Sequence, residues 1–318
     1  MRGDQRRRGS VGGSTQDLPL STLVAIDTGT VELEPDPDRP GGLMVYVNGV
    51  ESSYIDLDDP HHLEFEYMQQ MRLALGDLAE PGSTARVLHL GGAACAFARA
   101  LAEAAPGSRH VVVELDGRMA ELAREWFALP RAPRLRVRVG EARASLATMR
   151  PGSFDAVVRD AFAGARVPTH LTTAQFLTAA ADVLRPGGLY LGNLVDTPPL
   201  PVARREVATA RAVFPHVALA VEPPILKGRR FGNLVVLAGD TELDAGLARR
   251  LLGLPAPVRL VTGRELDDFV GTHAPLDDAE LDADDPWVRA SRAAAASAST
   301  DEGPAAGPSV DEPTPAGH

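Results

Sequence analysis

The sequence predicts a doubly wound, mainly parallel α/β sheet preceded by a small antiparallel β unit. Three observations carry this. Residues 86–116, RVLHLGGAACAFARALAEAAPGSRHVVVELD, read as strand, glycine turn, helix, strand and acidic end. Strand then alternates with helix five times, the pattern of a parallel sheet covered on both faces. Upstream, short apolar runs alternate with polar residues and are broken by Pro and Gly, as in antiparallel strands.

The elements follow in order. Residues 1–18 are polar, glycine-rich and basic, and read as a disordered tail. Between Leu23 and Tyr54 short strands are expected, with Asn48-Gly49 as a turn. From Asp56 to Leu75 the period changes: Leu63, Tyr67, Met71 and Leu75 recur at helical spacing, with Asp58 or Asp59 as cap and Pro60 in the first turn. Residues 19–78 thus form a β unit with a linking helix.

Val87, Leu88 and Leu90 make the first buried strand. Gly91 and Gly92 permit a tight turn and a close backbone approach to a ligand. Alanine and leucine from Ala93 to Ala104 favour helix. The second strand, His110 to Leu115, ends in Glu114 and Asp116. A helix from Arg118 to Leu129 follows, then a strand from Arg134 to Val139 ending in Gly140-Glu141. Ser145 to Met149 reads as a short helix, and strand Phe154 to Arg159 delivers Asp160 to its carboxyl end. Thr172 to Leu184 is helical and Leu189 to Leu194 is a strand. After the helix Val202 to Val213, an antiparallel pair is expected at Val217–Val221 and Phe231–Leu237. These make seven strands in the domain 79–272. A helix is expected from Thr241 to Gly253. The remainder, 273–318, turns acidic and then becomes Ala, Ser, Pro and Gly, the composition of a largely disordered tail.

Composition narrows the function. The net charge of −11 disfavours binding to nucleic acid or an anionic membrane. No run approaches the roughly 18 apolar residues of a membrane helix, and no apolar segment follows the basic amino terminus, so a cytoplasmic protein without a signal peptide is expected. One cysteine, Cys95, excludes an intrachain disulfide and a multi-cysteine zinc site. His61 and His62 are adjacent, point apart and make a poor metal pair. No metal is expected.

Glu114, Glu141 and Asp160 fall at successive strand ends, which line one crevice in a doubly wound sheet. Each alone reads as a surface carboxylate or a helix cap; the three together, after one glycine turn, point to a nucleoside. Glu114 can hold a ribose, Glu141 an adenine amine, and Asp160 stands over the reacting centre. A nicotinamide dinucleotide is disfavoured because the full glycine fingerprint that carries a pyrophosphate is missing.

At this point the chain resembles the spermidine synthase (polyamine aminopropyltransferase) family, which has the Rossmann-like fold of class I S-adenosylmethionine-dependent methyltransferases. The blocks NGVESSYIDLDDPHHLEFEYMQQM, LHLGGAA, VVVELD, VGEARASL, FDAVVRDAFAGARVPTHLTTAQFL, LRPGGLYLGNL and FGNLVVLA carry the resemblance, roughly from Leu23 to Asp240. It implies decarboxylated S-adenosylmethionine as co-substrate, bound by Gly91, Gly92, Glu114, Asp116, Glu141 and Ala142. It implies Asp160 as the base that deprotonates a small-molecule amine, Tyr67 as a residue of the amine pocket, and a homodimer.

The chain also departs from the family pattern. GGAACA stands in place of GGGDGG, so Ala94 replaces an aspartate. Asp160-Ala161-Phe162-Ala163 stands in place of Asp-Ser-x-Asp, so Ala163 replaces the diamine-binding carboxylate. Met68-Gln69 follow Tyr67 where His-Glu is usual, and Glu51 or Ser52 replaces a glutamine. Much of the acidic lining for a diamine is lost. Three readings follow: an aminopropyltransferase with a different or larger amine, a methyltransferase using S-adenosylmethionine, or a non-catalytic nucleoside-binding member.

Overall fold

The computed structural model of the protein describes residues 18–283 and 287–289. The tail expected at 1–18 and most of that at 273–318 lie outside the described residues. The chain up to Asp278 forms one unit, and Ala279–His318 a second. The architecture below is that of the first.

Two sheets build it. The N-terminal sheet is a meander of β1 (Val24–Ile26), β2 (Gly29–Pro35), β3 (Gly42–Val47) and β4 (Val50–Asp56), all antiparallel. Asn48 and Gly49 turn β3 into β4 with φ of 53° and 76°, the double left-handed turn that an Asn-Gly pair favours.

The linking helix, α1 (Glu66–Leu75), starts later than its apolar spacing suggests. Asp58, Asp59 and Pro60 do not begin it. The Asp56 carboxylate accepts the N–H groups of Asp58 and Asp59, and Asp59 accepts that of His61. These local side-chain bonds hold the segment in turns and compete with helix. Arg39 locks Asp56 from the other side at 2.6 Å.

The second sheet has the order β12-β10-β11-β9-β8-β5-β6-β7. Its parallel part comprises β5 (Arg86–Leu90), β6 (Arg109–Glu114), β7 (Leu135–Val139), β8 (Phe154–Arg159) and β9 (Leu184–Asp196). The strands β10 (His216–Val221) and β11 (Gly232–Gly239) form the expected antiparallel pair, and β11 joins the sheet at β9. The sheet has one strand more than the seven read from the sequence: β12 (Arg259–Val261) pairs with β10. At three residues it is too short to show a period. The β9 strand also begins earlier than Leu189. Residues 185–188 bulge between the pairs Phe154–Leu184 and Ala156–Leu189.

Helices cover both faces. One face carries α1, α2 (Ala96–Ala104) and α3 (Gly117–Trp126); the other carries α4 (Ala142–Leu146), α5 (Ala174–Val183) and α6 (Pro201–Val213). α7 (Pro223–Leu226) lies in the β10–β11 connection, and α8 (Leu247–Leu252) and α9 (Gly263–Val270) follow. Side chains of each strand alternate between two cores. Val87, Val112 and Val158 enter one, and Leu88, Leu90 and Val157 the other. The α4 helix begins at Ala142 rather than Ser145, because Glu141 caps it. The α8 helix is shorter than the Thr241–Gly253 expected.

The chain runs outward from β5 through β6 to β7, then returns to place β8 on the other side of β5. The strand order reverses there, and ligands of open α/β sheets bind outside the carboxyl ends at such a point.

Candidate active site

Two backbone segments meet at the reversal. Gly91, after β5, has φ of 83°, and a Cβ there would lie 2.4 Å from the Asp160 carbonyl oxygen. This glycine thus lets the turn lie close against the loop after β8. Two further residues of the turn adopt positive φ without being glycine: Ala93 at 40° and Cys95 at 60°. Such backbone costs on the order of 1 to 3 kcal/mol per residue and persists only where its surroundings over-determine it.

Asp160 sits at the floor of the crevice. Its Oδ2 accepts from the Tyr67 hydroxyl at 2.8 Å, and its Oδ1 from the Asn193 amide at 2.8 Å. The Asn193 carbonyl in turn accepts from Asn233 at 3.0 Å. Burial pushes the Asp160 carboxyl up from its ordinary value, against the hydrogen bonds from Asn193 and Tyr67 and the charge of Arg159. Tyr67 is itself raised well above a free phenol by burial and by the carboxylate beside it. Arg159, one residue earlier, is fully buried; it pairs with Glu206 of α6 and donates to the Tyr190 hydroxyl.

Asn193 and Asn233 escaped the sequence reading. Each is a polar residue following a glycine inside an otherwise apolar strand, in LYLGNL and FGNLVV. That interruption was the available signal. Only the β9–β11 pairing reveals that the two amides form one relay to Asp160.

Glu114 closes β6. Its Oε2 accepts from Ala93 N–H at 3.0 Å and its Oε1 from Asp116 N–H at 3.1 Å. It thereby ties the glycine turn to the next strand, and burial raises its carboxyl. A carboxylate offers about four lone-pair positions, so these two bonds leave part of its acceptor capacity unused.

Asp116 and Glu141 are helix caps. Asp116 is 3% exposed and accepts from Met119 N–H at the start of α3, and from both the N–H and the hydroxyl of Thr28. Burial would raise its carboxyl, but these bonds outweigh it and hold it low. Glu141 accepts from Arg143 N–H and Ala144 N–H at the start of α4 and lies 3.2 Å from His170 Nε2. Its carboxyl is low because His170 and the two N–H groups overcome burial. Neither carboxylate is wholly free for a ligand.

One cleft of about 940 Å³ gathers Gly91, Gly92, Glu114, Glu141, Ala142 and Asp160, together with Tyr67 and Asp116. The substituted positions divide. Ala163 is exposed at the rim, and Glu51, Ser52 and Met68 line the cleft. Ala94 is fully buried in the core, and Gln69 donates to the Leu63 carbonyl. Among the described residues no cluster of His, Cys, Asp and Glu has the makings of a metal site, and no helix is long and apolar enough to cross a membrane.

Sheet order, glycine turn and carboxylate-ended strands define the methyltransferase class of Rossmann-like folds, and a family described as "Methyltransferase domain" matches residues 87–188. Within that class the chain belongs to the spermidine synthase (polyamine aminopropyltransferase) family. It is 37% identical to a "probable spermidine synthase" from Corynebacterium glutamicum ATCC 13032, whose crystal structure it matches with a TM-score of 0.76, over 83% of this chain and 99% of that one. It is 31% identical to a polyamine aminopropyltransferase of Vibrio vulnificus over 56% of this chain and 58% of the relative. For one from Chromobacterium violaceum the identity is 30%, over 44% of this chain and 53% of the relative. The matched part thus spans little more than half the length of these two aminopropyltransferases.

Proposed function

We propose that the protein transfers an aminopropyl group from decarboxylated S-adenosylmethionine to an amine. The observation that carries this reading is the setting of Asp160: a carboxylate made more basic by burial, at the strand reversal, oriented by Tyr67 and Asn193 with a lone pair left on each oxygen. An ammonium ion has no lone pair to attack with, so a base must take a proton from it first. Asp160 accepts that proton. The freed nitrogen lone pair forms a bond to the methylene carbon beside the sulfonium. The carbon–sulfur bond breaks, and its electron pair returns to sulfur, which leaves as a neutral thioether nucleoside. The protein contributes chiefly by alignment. Glu114 would accept from the ribose hydroxyls, and the cap carboxylate of Glu141 with neighbouring Ala142 would face the adenine.

The test is a mass-spectrometric assay with decarboxylated S-adenosylmethionine and a panel of amines. Wild type is expected to give an aminopropylated amine and methylthioadenosine. Asp160→Asn, which keeps size and loses the proton acceptor, is expected to slow this by roughly 10²- to 10⁴-fold while nucleoside affinity holds within a few-fold. Absence of product from wild type that still binds the nucleoside would overturn the reading. Methyl transfer from S-adenosylmethionine in the same assay would replace it.

A further inference from the structure

A buried ion pair lies behind the Asp160 base, on the opposite face of the sheet. Asp160 N–H donates to the Leu90 carbonyl at 2.8 Å, so the ladder between β8 and β5 runs through it, and successive residues of a strand point to opposite faces. Asp160 accordingly meets Tyr67 of α1 on one face, and Arg159 meets Glu206 of α6 on the other. Arg159 is 0% exposed and Glu206 2%. The guanidinium Nε also donates to the Tyr190 hydroxyl at 3.2 Å. The neighbouring strand makes room for the pair. Arg159 stands opposite Gly192 in the register of β8 and β9. A Cβ at Gly192 would lie 2.9 Å from Arg159 Nη2 and 3.1 Å from Glu206 Oε1. Arg159 and Gly192 thus seat the pair, and the residues that follow them, Asp160 and Asn193, are the base and its amide donor.

Stability does not account for this pair. Removing two charges from water is costly, and an ion pair in a core is often no more stabilising than apolar side chains of the same volume. Among the described residues Arg159 Nη1 and Glu206 Oε2 find no hydrogen-bond partner, which adds to the cost. What the pair offers and apolar groups do not is a fixed field. The cation is rooted next to the base, while its counter-ion comes from α6, so the positive end is turned toward Asp160. Burial raises the Asp160 carboxyl, and the charge of Arg159 is one of the influences that hold it down.

We propose that Arg159 and Glu206 are positioning residues for the base: the guanidinium, anchored by its counter-ion behind the sheet, keeps the Asp160 carboxylate ionised so that it can take a proton from the amine. The inference rests on the aminopropyl-transfer reading and adds to it a residue pair that never touches substrate. The Asp160 carboxylate faces the Tyr67 phenol of α1, the Asn193 amide of β9 and, behind it, Arg159. Glu66 of α1, His89 of β5, Glu114 of β6 and His170 before α5 share its cleft, and the variants below keep them all.

Three variants of the full-length protein test this: Arg159→Met, Glu206→Gln, and Arg159→Met combined with Glu206→Leu. Two quantities are measured. One is the acid limb of kcat/KM for aminopropyl transfer to putrescine. The other is the titration midpoint of the Asp160 carboxyl, by carbon NMR of protein labelled at the aspartate side-chain carboxyl, with the resonance assigned by its loss in Asp160→Asn. Removing the cation favours the protonated carboxyl. Arg159→Met and the double variant are therefore expected to move both limb and midpoint to higher pH, by about one pH unit. Glu206→Gln leaves the guanidinium unbalanced, which favours the carboxylate, so both should move to lower pH. Opposite displacements from the two ends of one contact are the signature of charge; lost packing would lower the rate at every pH and leave the midpoint in place. The double variant exchanges the pair for apolar groups, the change such a core tolerates best, and thermal melts verify that each variant folds. An unmoved midpoint in the double variant, or displacements of the same sign in the two single variants, would overturn the proposal. Midpoints that move as stated in a protein that forms no product leave the pair assigned and reject the transfer chemistry. Product from wild type with unmoved midpoints in the variants rejects the pair alone.

Discussion

Asp160 and Tyr67 are 93 positions apart and joined by one hydrogen bond. Burial raises the carboxyl, while the bonds from Asn193 and Tyr67 favour its charged form and pull it down. Tyr67→Phe removes one of these restraints. The acid limb of kcat/KM should therefore move to higher pH, by about one unit if the bond favours the carboxylate by about 1.4 kcal/mol. A pH–rate profile of the variant checks this; an unmoved limb would mean that the phenol does not tune the base. Asp160 itself was legible as a carboxylate at the end of an apolar run. Asn193 and Asn233 were not, because an asparagine in a strand gives no indication of which neighbouring strand it will face.

At the scale of elements, the two glycines and Glu114 form one device. Gly91 lets the β5 turn lie against the chain at Asp160, and Glu114 holds the other side of that turn through Ala93 N–H. Glu114→Ala is expected to weaken nucleoside binding by at least about tenfold, since hydrogen bonds to a charged group contribute about 1.5 to 3 kcal/mol each. Calorimetry with methylthioadenosine measures it. Unchanged affinity would restrict Glu114 to anchoring the turn. Asp116 and Glu141 show how one residue type serves two purposes at a strand end. Both precede helices, and their N–H partners two or three residues on are those of a helix cap. Asp116 also fastens the N-terminal sheet, through Thr28, to the end of β6. The sequence indicated a carboxylate at each strand end but not how much of it the fold would consume. The start of α1 was misplaced for a related reason: Asp58, Asp59 and Pro60 are good helix starters, yet Asp56 and Arg39 captured them in turns.

For the molecule as a whole, the parallel sheet buries a histidine chain that sets a limit in acid. Ser108 donates to the Ala105 carbonyl, so it accepts from His110 Nε2–H at 2.8 Å. The other His110 nitrogen then accepts from His89 at 3.1 Å. A proton added to His110 would face a donor, and burial already pushes this imidazole down to about 4 and His89 well below its usual value. In the unfolded chain both titrate near 6.5. Between those values the unfolded state binds more protons, so stability falls as pH drops from about 6.5 toward about 4, by on the order of 3 kcal/mol for His110 over the whole window. The raised carboxyls of Asp160, Glu114 and Glu206 work in the opposite sense. Urea unfolding of wild type and His110→Gln at about pH 7 and about pH 5 isolates the histidine; the variant should lose less stability on acidification. Local chemistry was enough to read the fold class, the glycine turn and the carboxylates at the strand ends. Apolar period, turn residues and strand-end charge are properties of neighbours along the chain, and the αβ alternation leaves few arrangements open. The strand order, the eighth strand and the asparagine relay depended on which distant segments came to lie side by side. Each brings together residues separated by tens of positions, and such pairings are selected by the packing of the whole core rather than by any stretch within it.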